Sequence, residues 1–470
     1  MALVILKNIL SSMMAFFMCF TTLFGSVGPK NFVRNGWLMP DIPAYDGGVL
    51  SEDLYDCGAG LADDSQGKTG EDSFMQIASY SNSLEFKRYL AKLEYFGYKE
   101  LAFRNIGLSG FAQYQKGDVL IYAGFNFRTK ETRIIEDKSS VPVIDFDYSY
   151  IPAEGDTTEV FQYGLYYTGS SDAEGLSADN GMLYVVKLAD NSVIIIDSGA
   201  RRQATEESVA GFMSFLRNIT GTPEGGTVRV ACWYCTHAHG DHTVFFSKLI
   251  RVYNTSLSVE RAMFNFPSAS VLTGSVPDTA MVRSRLVQYY PGIKFVKPHT
   301  GQLFNLADVT LEVLYTHEDN VNPIKAKTNI TTFNDSATIV KISFCGKTFL
   351  VLGDADNLAE NVLCTNFNAS VLKSDIVQAA HHCFNDVYKI YRRARADVVL
   401  IPQASKRTLE RNRKIYDVIA RYTDESNIFF AGTDTTGISV EGDKFVIEHQ
   451  PLVGSVYDGS PMSSEPPTPD

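Results

Sequence analysis

Residues 236–242 carry the strongest chemical signal of this chain, because the heptapeptide THAHGDH holds three of the eight histidines. His237 and His239 are alternate residues, and alternate side chains of an extended backbone project to the same side. Asp241 and His242 follow a glycine that lets the backbone bend, so they can hold a second cation nearby. Imidazole with carboxylate favours Zn²⁺, with Mn²⁺ or Fe as alternatives. Since no cysteine stands at zinc-finger spacing, the pattern predicts an open, catalytic metal site.

Other candidate residues stand at the ends of further strand-like runs. They are Asp197 in VIIIDSG, His317 in VTLEVLYTH, Asp354 in FLVLGDAD, and His381 and His382 in VQAAHHC. In layered α/β proteins, sites assemble at the carboxyl ends of strands. We therefore expect these side chains to gather at one edge of a sheet.

The elements that must position these residues alternate between strands and helices over residues 160–454, which predicts an α/β domain. Residues 70–155 predict a small α+β domain, in which one helix precedes an antiparallel sheet. Its aromatic residues favour a packing role over a recognition role. Residues 29–69, rich in Gly, Pro and Asp, are interpreted as an irregular lead-in.

The two ends of the chain have their own compositions. Residues 1–28 contain one lysine, then a mostly apolar run and small residues, which predicts a secretory signal peptide or an uncleaved signal anchor. The protein is therefore expected to be secreted or extracytoplasmic, with membrane contact only through this segment if it is not cleaved. Residues 455–470 are acidic and rich in Pro and Ser, which is typical of a disordered tail.

The overall composition limits the classes of function. The 470 residues carry a net charge of −12, with no long basic run near residues 190–250, which disfavours binding along a nucleic-acid backbone. A chain of this length can build a large core without disulfides. Cys232 and Cys235 form a CxxC pair inside an apolar strand, where residues three apart point to opposite faces. They are interpreted as small core residues.

The heptapeptide resembles the signature of the metallo-β-lactamase superfamily, and the other segments follow in that family's order. The resemblance implies a four-layer αββα sandwich over residues 160–454, with two Zn²⁺ ions. It implies that Asp197 supports the metal ligands from outside and that Asp354 bridges both metals. The metal ligands implied are His237, His239, Asp241, His242, Asp354, and His381 or His382. The family's third motif, a lone histidine, corresponds to His317 as a further ligand, with His299 in KPHTG as the alternative.

Within the superfamily, the chain looks most like the corresponding domain of bacterial DNA-uptake channel proteins and like phosphorylcholine esterases. Those proteins carry a His-His-Gly motif and a late Thr…Gly turn, and the segments AAHHC and GTDTTGISV are similar. Cys383 stands where glycine is usual. This departure leaves open whether His381 or His382 faces the metal.

The function predicted from these features is that of an exported dinuclear-metal hydrolase. A metal-bound hydroxide, oriented by Asp241 or Asp354, would attack a small-molecule or cell-surface phosphodiester. Whichever of His381 and His382 is not a ligand would contact a phosphate or protonate the leaving group. A phosphodiester is favoured because, in the resemblance, true β-lactamases lack the bridging aspartate. The alternatives are hydrolysis of another ester, a thioester or a lactam, a nuclease, and a non-catalytic, metal-retaining surface or binding protein.

Overall fold

The computed structural model describes residues 32–58, 73–165, 181–201, 203–267, 279–403, 405–431 and 434–451. The predicted signal segment 1–28 and the predicted tail 455–470 lie outside these residues. Among the described residues, no helix is long and apolar enough to cross a membrane.

The strands of the N-terminal part and of the first half of the larger part follow one another along the chain. They are β1 Val49–Leu50, β2 Tyr55–Asp56, β3 Ser73–Ser79, β4 Lys99–Ile106, β5 Ser109–Lys116, β6 Val119–Asn126, β7 Glu131–Asp137, β8 Tyr148–Ser149, β9 Glu159–Gln162, β10 Met182–Lys187, β11 Val193–Ser198, β12 Val228–Tyr234, β13 Leu257–Val259, β14 Arg261–Met263 and β15 Lys294–Val296. The remaining strands are β16 Leu303–Ala307, β17 Val309–Tyr315, β18 Ile339–Phe344, β19 Lys347–Val351, β20 Ile376–Gln378, β21 Val398–Ile401, β22 Ile428–Phe430, β23 Asp434–Glu441 and β24 Lys444–Pro451.

The helices connect these strands. They are α1 Ser83–Tyr95, α2 Val143–Phe146, α3 Glu206–Thr220, α4 Gly240–Val252, α5 Thr279–Tyr289, α6 Asn357–Asn366, α7 Ala369–Leu372, α8 Tyr388–Ala394, α9 Ser405–Arg411 and α10 Arg413–Ile419. Short 3-10 turns cover His317–Asn320, Asn334–Ser336, Ala380–Cys383 and Glu425–Asn427.

The N-terminal sheet is antiparallel, in the order β1-β3-β7-β6-β5-β4, with β2 also paired to β3. Helix α1 packs on one face of it through an apolar stripe that includes Phe86 and Leu93. The helix starts in a capping box between Asn82 and Glu85, and Gly97 follows its end at φ +84°. Two short strands from the lead-in, β1 and β2, join this sheet, so the lead-in is partly structural.

Two further sheets lie face to face. Their strand orders are β15-β14-β12-β11-β10-β9-β23-β24, with β13 also paired to β12, and β22-β21-β20-β19-β18-β17-β16-β8. Apolar side chains of both sheets form one core between them, while α3, α4 and α5 cover the outer face of the first sheet and α6, α7, α8 and α10 that of the second. The predicted four-layer αββα sandwich is confirmed.

Alternation along β11 and β12 explains why both faces of the first sheet are apolar. Ile194 and Ile196 point into the core between the sheets, whereas Val193 and Ile195 point to the helices. Cys232 and Cys235 follow the same rule and lie on opposite faces, both fully buried. The interpretation of this CxxC pair as core residues is confirmed.

The parallel strands of the two sheets bring their carboxyl ends to one edge of the sandwich. Strands β11 and β12 pair in parallel in one sheet, and β19 and β20 pair in parallel in the other. Helix α3 connects β11 to β12; Thr205 caps its start and Gly221, at φ +64°, ends it, as its sequence predicts. The loops that leave these four strands carry the candidate site.

Candidate metal centre

Four strand ends deliver the predicted site residues. Asp197 is the last residue but one of β11, His237 and His239 follow β12, and Asp354 follows β19. His382 follows β20 in the turn Ala380–Cys383. The structure thus brings residues far apart in the chain into two groups of potential metal ligands, one of His237, His239 and Asp354, the other of Asp241, His242 and His382.

The ligand atoms of the second group lie at metal-binding distances from one another. His382 Nε2 lies 3.4 Å from Asp241 Oδ2, and His242 Nε2 lies 3.9 Å from Asp241 Oδ1. Asp354 Oδ1 stands 3.3 Å from His242 Nε2 and 3.8 Å from His382 Nε2. Two donors of one tetrahedral zinc ion are about 3.3 Å apart, given bonds of about 2.0–2.1 Å. These spacings suit one small divalent cation.

The first group uses the other oxygen of the same aspartate. His237 Nε2 lies 3.5 Å from Asp354 Oδ2 and 3.1 Å from His239 Nδ1. Asp354 therefore presents one carboxylate oxygen to each group, as a carboxylate shared by two cations would.

Unpartnered atoms show that these residues fit a metal. In the part of the chain that the structure describes, His242 Nε2, Asp354 Oδ1 and His382 Nε2 are buried and have no hydrogen-bond partner. A buried polar atom without a partner is costly and rare in a folded protein. Three such atoms facing one another fit the donor set of a candidate cation site.

Asp197 holds the imidazole rings of both groups from behind. Its Oδ2 accepts a hydrogen bond from His242 Nδ1 at 2.7 Å and one from the Thr236 hydroxyl at 2.7 Å. That hydroxyl oxygen lies 3.0 Å from His237 Nδ1 and accepts a hydrogen bond from its N–H. Both rings are thereby held in the tautomer that leaves Nε2 free to bind a cation.

His382 is oriented in the same way, by a backbone carbonyl. Its Nδ1 donates to the Pro402 carbonyl at 3.0 Å, so Nε2 faces Asp241 and Asp354. The backbone makes this possible through three consecutive left-handed residues, His381, His382 and Cys383, with φ of 49°, 53° and 64°. The turn therefore points His382 inward to the second group and leaves His381 at the opening, with 31% of its side chain exposed.

The charges of the site are strongly coupled. Burial disfavours the charged form of Asp354, yet His242 and His237 hold its pKa well below the usual range. Burial likewise opposes a proton on His242, but Asp354 and Asp197 raise its pKa well above 6.5. Burial, together with His237, lowers the pKa of His239 to about 4. The buried carboxylates thus attract positive charge, which protons or cations can supply.

The structure does not bring His317 to this site, so its prediction as a metal ligand is wrong. Both of its ring nitrogens are already used, since Nδ1 lies 3.0 Å from the Tyr55 hydroxyl and Nε2 lies 2.9 Å from Asn265 Oδ1. Burial lowers the pKa of His317 to about 4, so the ring is neutral and its one lone pair accepts from Tyr55. It belongs to the contact between the N-terminal sheet and the sandwich.

The alternative, His299, is also absent from the site. It is buried between Glu318, 2.9 Å from its Nδ1, and Asp137 of the N-terminal sheet, 3.5 Å from its Nε2. Neither His317 nor His299 therefore reaches the candidate site, and among the described residues the first group keeps two imidazoles only.

Sequence reasoning missed three residues that shape the site. Thr236 links His237 to Asp197, and its position directly before the histidine pair was the available signal. Gly353 has φ +56°, and a Cβ there would lie 2.8 Å from the Thr236 side chain. Asn385 contacts His381 and the backbone of Asp354, and no sequence pattern marks it.

Comparisons with known proteins give no match at the level of sequence. No family model matches the chain, and neither does any curated protein.

Solved structures do match. The metallo-β-lactamase fold protein YhfI from Bacillus subtilis is 11% identical, with a TM-score of 0.35, over 62% of this chain and 100% of that one. Zn²⁺-bound PqqB from Methylobacterium extorquens is 8% identical, with a TM-score of 0.35, over 59% and 99%. Tm1679, a metal-dependent hydrolase of the β-lactamase superfamily, is 10% identical, with a TM-score of 0.34, over 61% and 100%.

The fold is decided by the chain's own architecture. Two facing sheets carry helices on both outer faces, and the ordered motifs meet at one edge between them. The chain has the metallo-β-lactamase fold. In this metallo-β-lactamase sandwich the cation groups lie at the carboxyl ends of β12, β19 and β20, and the N-terminal sheet is an addition beside it.

Proposed function

We propose that this protein is a metal-dependent hydrolase that holds two divalent cations and cleaves phosphodiesters of small molecules or of cell surfaces. The observation that carries the proposal is Asp354, whose two carboxylate oxygens face two separate donor groups. A bridging carboxylate suits a close pair of cations, and such pairs serve in-line displacement at phosphorus.

The donor chemistry supports zinc as the cation. The two groups offer imidazole nitrogen and carboxylate oxygen in buried positions, which suits Zn²⁺ best and Mn²⁺ or Fe next. The structurally similar PqqB is a Zn²⁺-bound protein. When bound, the cations would supply an activated water and neutralise the charge that develops on the phosphoryl oxygens.

The residues of the chain divide the remaining work. Burial disfavours ionisation of Asp241, but His242 and His382 lower its pKa, so the carboxylate is charged at neutral pH. Its side chain is 31% exposed, which leaves an oxygen at the opening to accept a proton from water. Asp354 is buried, so its role is to bind the cations rather than to exchange protons with water. Asp197 and the Pro402 carbonyl hold the imidazoles in place by hydrogen bonds.

Hydrolysis of bis-p-nitrophenyl phosphate and of a β-lactam, each with Zn²⁺ or Mn²⁺, tests the proposal. We expect turnover of the phosphodiester and none of the lactam. Asp354→Asn should lower kcat/KM about 100-fold or more, because it removes charge between the cations. The exposed Asp118→Asn is the matched control and should leave the rate unchanged. Turnover of the lactam alone, or full activity of Asp354→Asn, would contradict the proposal.

We also propose that the protein is exported, on the composition of residues 1–28 alone. Fractionation of cells that express the full chain, beside a chain without this segment, tests the proposal. The full chain is expected outside the cytoplasm and the shortened chain inside it. Equal retention of both in the cytoplasm would refute export without affecting the proposed chemistry.

A further inference from the structure

The two cation sites of the proposed function differ in their number of donors. Asp241, His242 and His382 make up the second site together with Asp354 Oδ1, which gives four donors. The first site has His237, His239 and Asp354 Oδ2. His317, predicted to complete it, is bound elsewhere. The first site therefore has room for one more donor from another part of the chain.

His381 lies on the open side of the first site. Its Nε2 is 3.6 Å from Asp354 Oδ2, nearly the same distance as the 3.5 Å that separates His237 Nε2 from that oxygen. The two imidazoles thus flank one carboxylate oxygen. Because the His381 side chain is 31% exposed, its ring has room to turn toward a cation without disturbing the core.

The backbone and one amide side chain hold His381 in this place. The His381 N–H donates to the Gly353 carbonyl at 3.0 Å, next to the bridging aspartate. Asn385 Oδ1 lies 3.0 Å from His381 Nδ1, and Asn385 Nδ2 donates to the carbonyls of Asp354 and Ala355, both at 3.0 Å. Asn385 therefore ties the imidazole to the segment that carries Asp354.

These contacts determine the tautomer of His381. The amide nitrogen of Asn385 is used by two carbonyls, so its oxygen faces the ring and His381 Nδ1 carries the proton. The lone pair then lies on Nε2, on the side of Asp354 Oδ2. Histidines that bind metals are usually held in this way, with the other ring nitrogen donating to an oxygen.

Asn334 does not take this lone pair. Its Nδ2 lies 3.3 Å from His381 Nε2 and 3.4 Å from His381 Nδ1. A donor on the axis of one lone pair would be much closer to one nitrogen than to the other. The amide therefore stands beside the ring, and Nε2 stays available.

We propose that His381 is a ligand of the first cation, that Asn385 is the positioning residue that sets its tautomer, and that His381 replaces the third-motif histidine. This inference rests on the proposed cation pair but not on the proposed substrate. It gives each of the two cations four protein donors, with Asp354 counted in both.

Counting bound cations tests the inference without any substrate. The wild type and His381→Ala are dialysed against Zn²⁺, their zinc per chain is measured by elemental analysis, and affinities follow from competition with a chelator. We expect two ions in the wild type and a first-site affinity at least about 100-fold weaker in His381→Ala, more than loss of an outer partner costs. His449→Ala, in the terminal hairpin, and His317→Ala are controls that should keep both ions.

The role of Asn385 needs a readout that a merely structural residue would not change. Asn385→Ala is expected to weaken the first cation about 10- to 100-fold. Asn385→Asp should restore part of this loss, because a carboxylate also accepts from His381 Nδ1. In the Co²⁺-loaded protein, the visible absorption spectrum of His381→Ala should differ from that of the wild type, and that of His449→Ala should not.

The outcomes separate this inference from the proposed function. If His381→Ala keeps both ions at wild-type affinity but loses phosphodiesterase activity, His381 acts on the substrate and the inference is overturned. A wild type that binds a single ion, or a His317→Ala protein that loses one, overturns it as well. If no phosphodiester is cleaved but His381→Ala still loses one cation, the assignment of His381 as a ligand is supported and the proposed function is wrong.

Discussion

At the scale of single residues, Asp197 orients more of the candidate ligands than any other side chain among the described residues. It touches no cation-facing atom, yet His242 depends on it directly and His237 depends on it through Thr236. Its backbone is left-handed, at φ +56°, a conformation that aspartate and asparagine tolerate better than most residues. A single carboxylate thus orients one candidate ligand in each of the two donor groups.

Asp197→Asn should weaken cation binding without unfolding the chain. Asparagine tolerates the left-handed backbone, but its NH₂ group accepts no hydrogen bond. Either the Thr236 N–H, or the Thr236 hydroxyl together with His242 Nδ1, therefore loses its acceptor. We expect dissociation constants about 10- to 100-fold higher, measured by chelator competition. Asp118→Asn, in an exposed turn, is the matched control. Wild-type affinity of Asp197→Asn would show that the histidines orient themselves.

At the scale of elements, the site depends on how closely strand ends approach. Gly353, after β19, stands against Thr236, after β12, and leaves no room for a methyl group between them. The turn Ala380–Cys383 uses three left-handed residues to turn His382 inward. Both features place a ligand by the path of the backbone rather than by side-chain length.

Gly353→Ala should damage the cation sites. Its Cβ would lie 2.8 Å from Thr236 Cβ and Oγ1, in a backbone conformation that already disfavours alanine. We expect a loss of about 2–4 kcal/mol in unfolding free energy, with weaker cation binding. Gly346→Ala shares the positive φ, at +72°, but meets nothing within 4 Å. That control should lose about 1 kcal/mol and keep its cations; equal behaviour of both variants would exclude the steric cause.

Cys383 tests the strain in the left-handed turn. It is fully buried, and burial raises the pKa of its thiol to about 12, so it is uncharged at neutral pH. Cys383→Gly and Cys383→Ala remove the same sulfur, but only glycine relieves a φ of 64°. We expect the glycine variant to be more stable by about 1 kcal/mol in urea unfolding.

Cys364 provides the internal control for that comparison. It lies in helix α6, where alanine is the better residue by about 1 kcal/mol. Cys364→Ala should therefore be more stable than Cys364→Gly, the reverse of the order at Cys383. The same order at both positions would mean that the turn at Cys383 holds no strain.

At the scale of the whole molecule, buried polar residues join the N-terminal sheet to the sandwich. We call Asp137, Lys297, His299 and Glu318 the interdomain cluster. His299 contacts Glu318 on one side and Asp137 on the other, and it stacks on Tyr122 with ring centroids 4.9 Å apart. Apolar residues such as Ile77 and Leu314 share one core around it. The two parts are therefore expected to unfold together.

The interdomain cluster predicts how stability changes with pH. Burial opposes a charge on His299, but Glu318 and Asp137 outweigh it and raise the pKa from 6.5 to about 9. A raised pKa stabilises the fold fully below pH 6.5, and this contribution of about 3 kcal/mol is lost as the pH rises toward 9. Unfolding free energies measured by urea across this range should fall more for the wild type than for His299→Gln.

A matched control separates this effect from other titrations. His449→Gln, in the terminal hairpin, should keep the pH dependence of the wild type. A His299→Gln protein with an unchanged pH dependence would show that the proton on His299 does not stabilise the interface.

The sequence by itself determined the elements and most of the site. The apolar alternation of β11 and β12, the capped helix α3 and the order of the motifs were all readable, because periodicity and short-range spacing are local properties. His237, His239, Asp241 and His242 were predicted together because they are neighbours in the chain. The distance in space between residues that are far apart in the chain is not a local property.

Only the tertiary structure decided which distant side chains join the two donor groups. His317 and His299 follow strand-like runs in the sequence, as Asp354 does. In the structure, however, His317 contacts Tyr55 and His299 contacts Asp137, both from the N-terminal sheet. The choice of His382 over His381 for the second site follows from a left-handed turn that the sequence AHHC does not predict. A metal site requires donor atoms from separate segments to lie within binding distance of one cation. Those distances are set only when the sheets and their connections pack together.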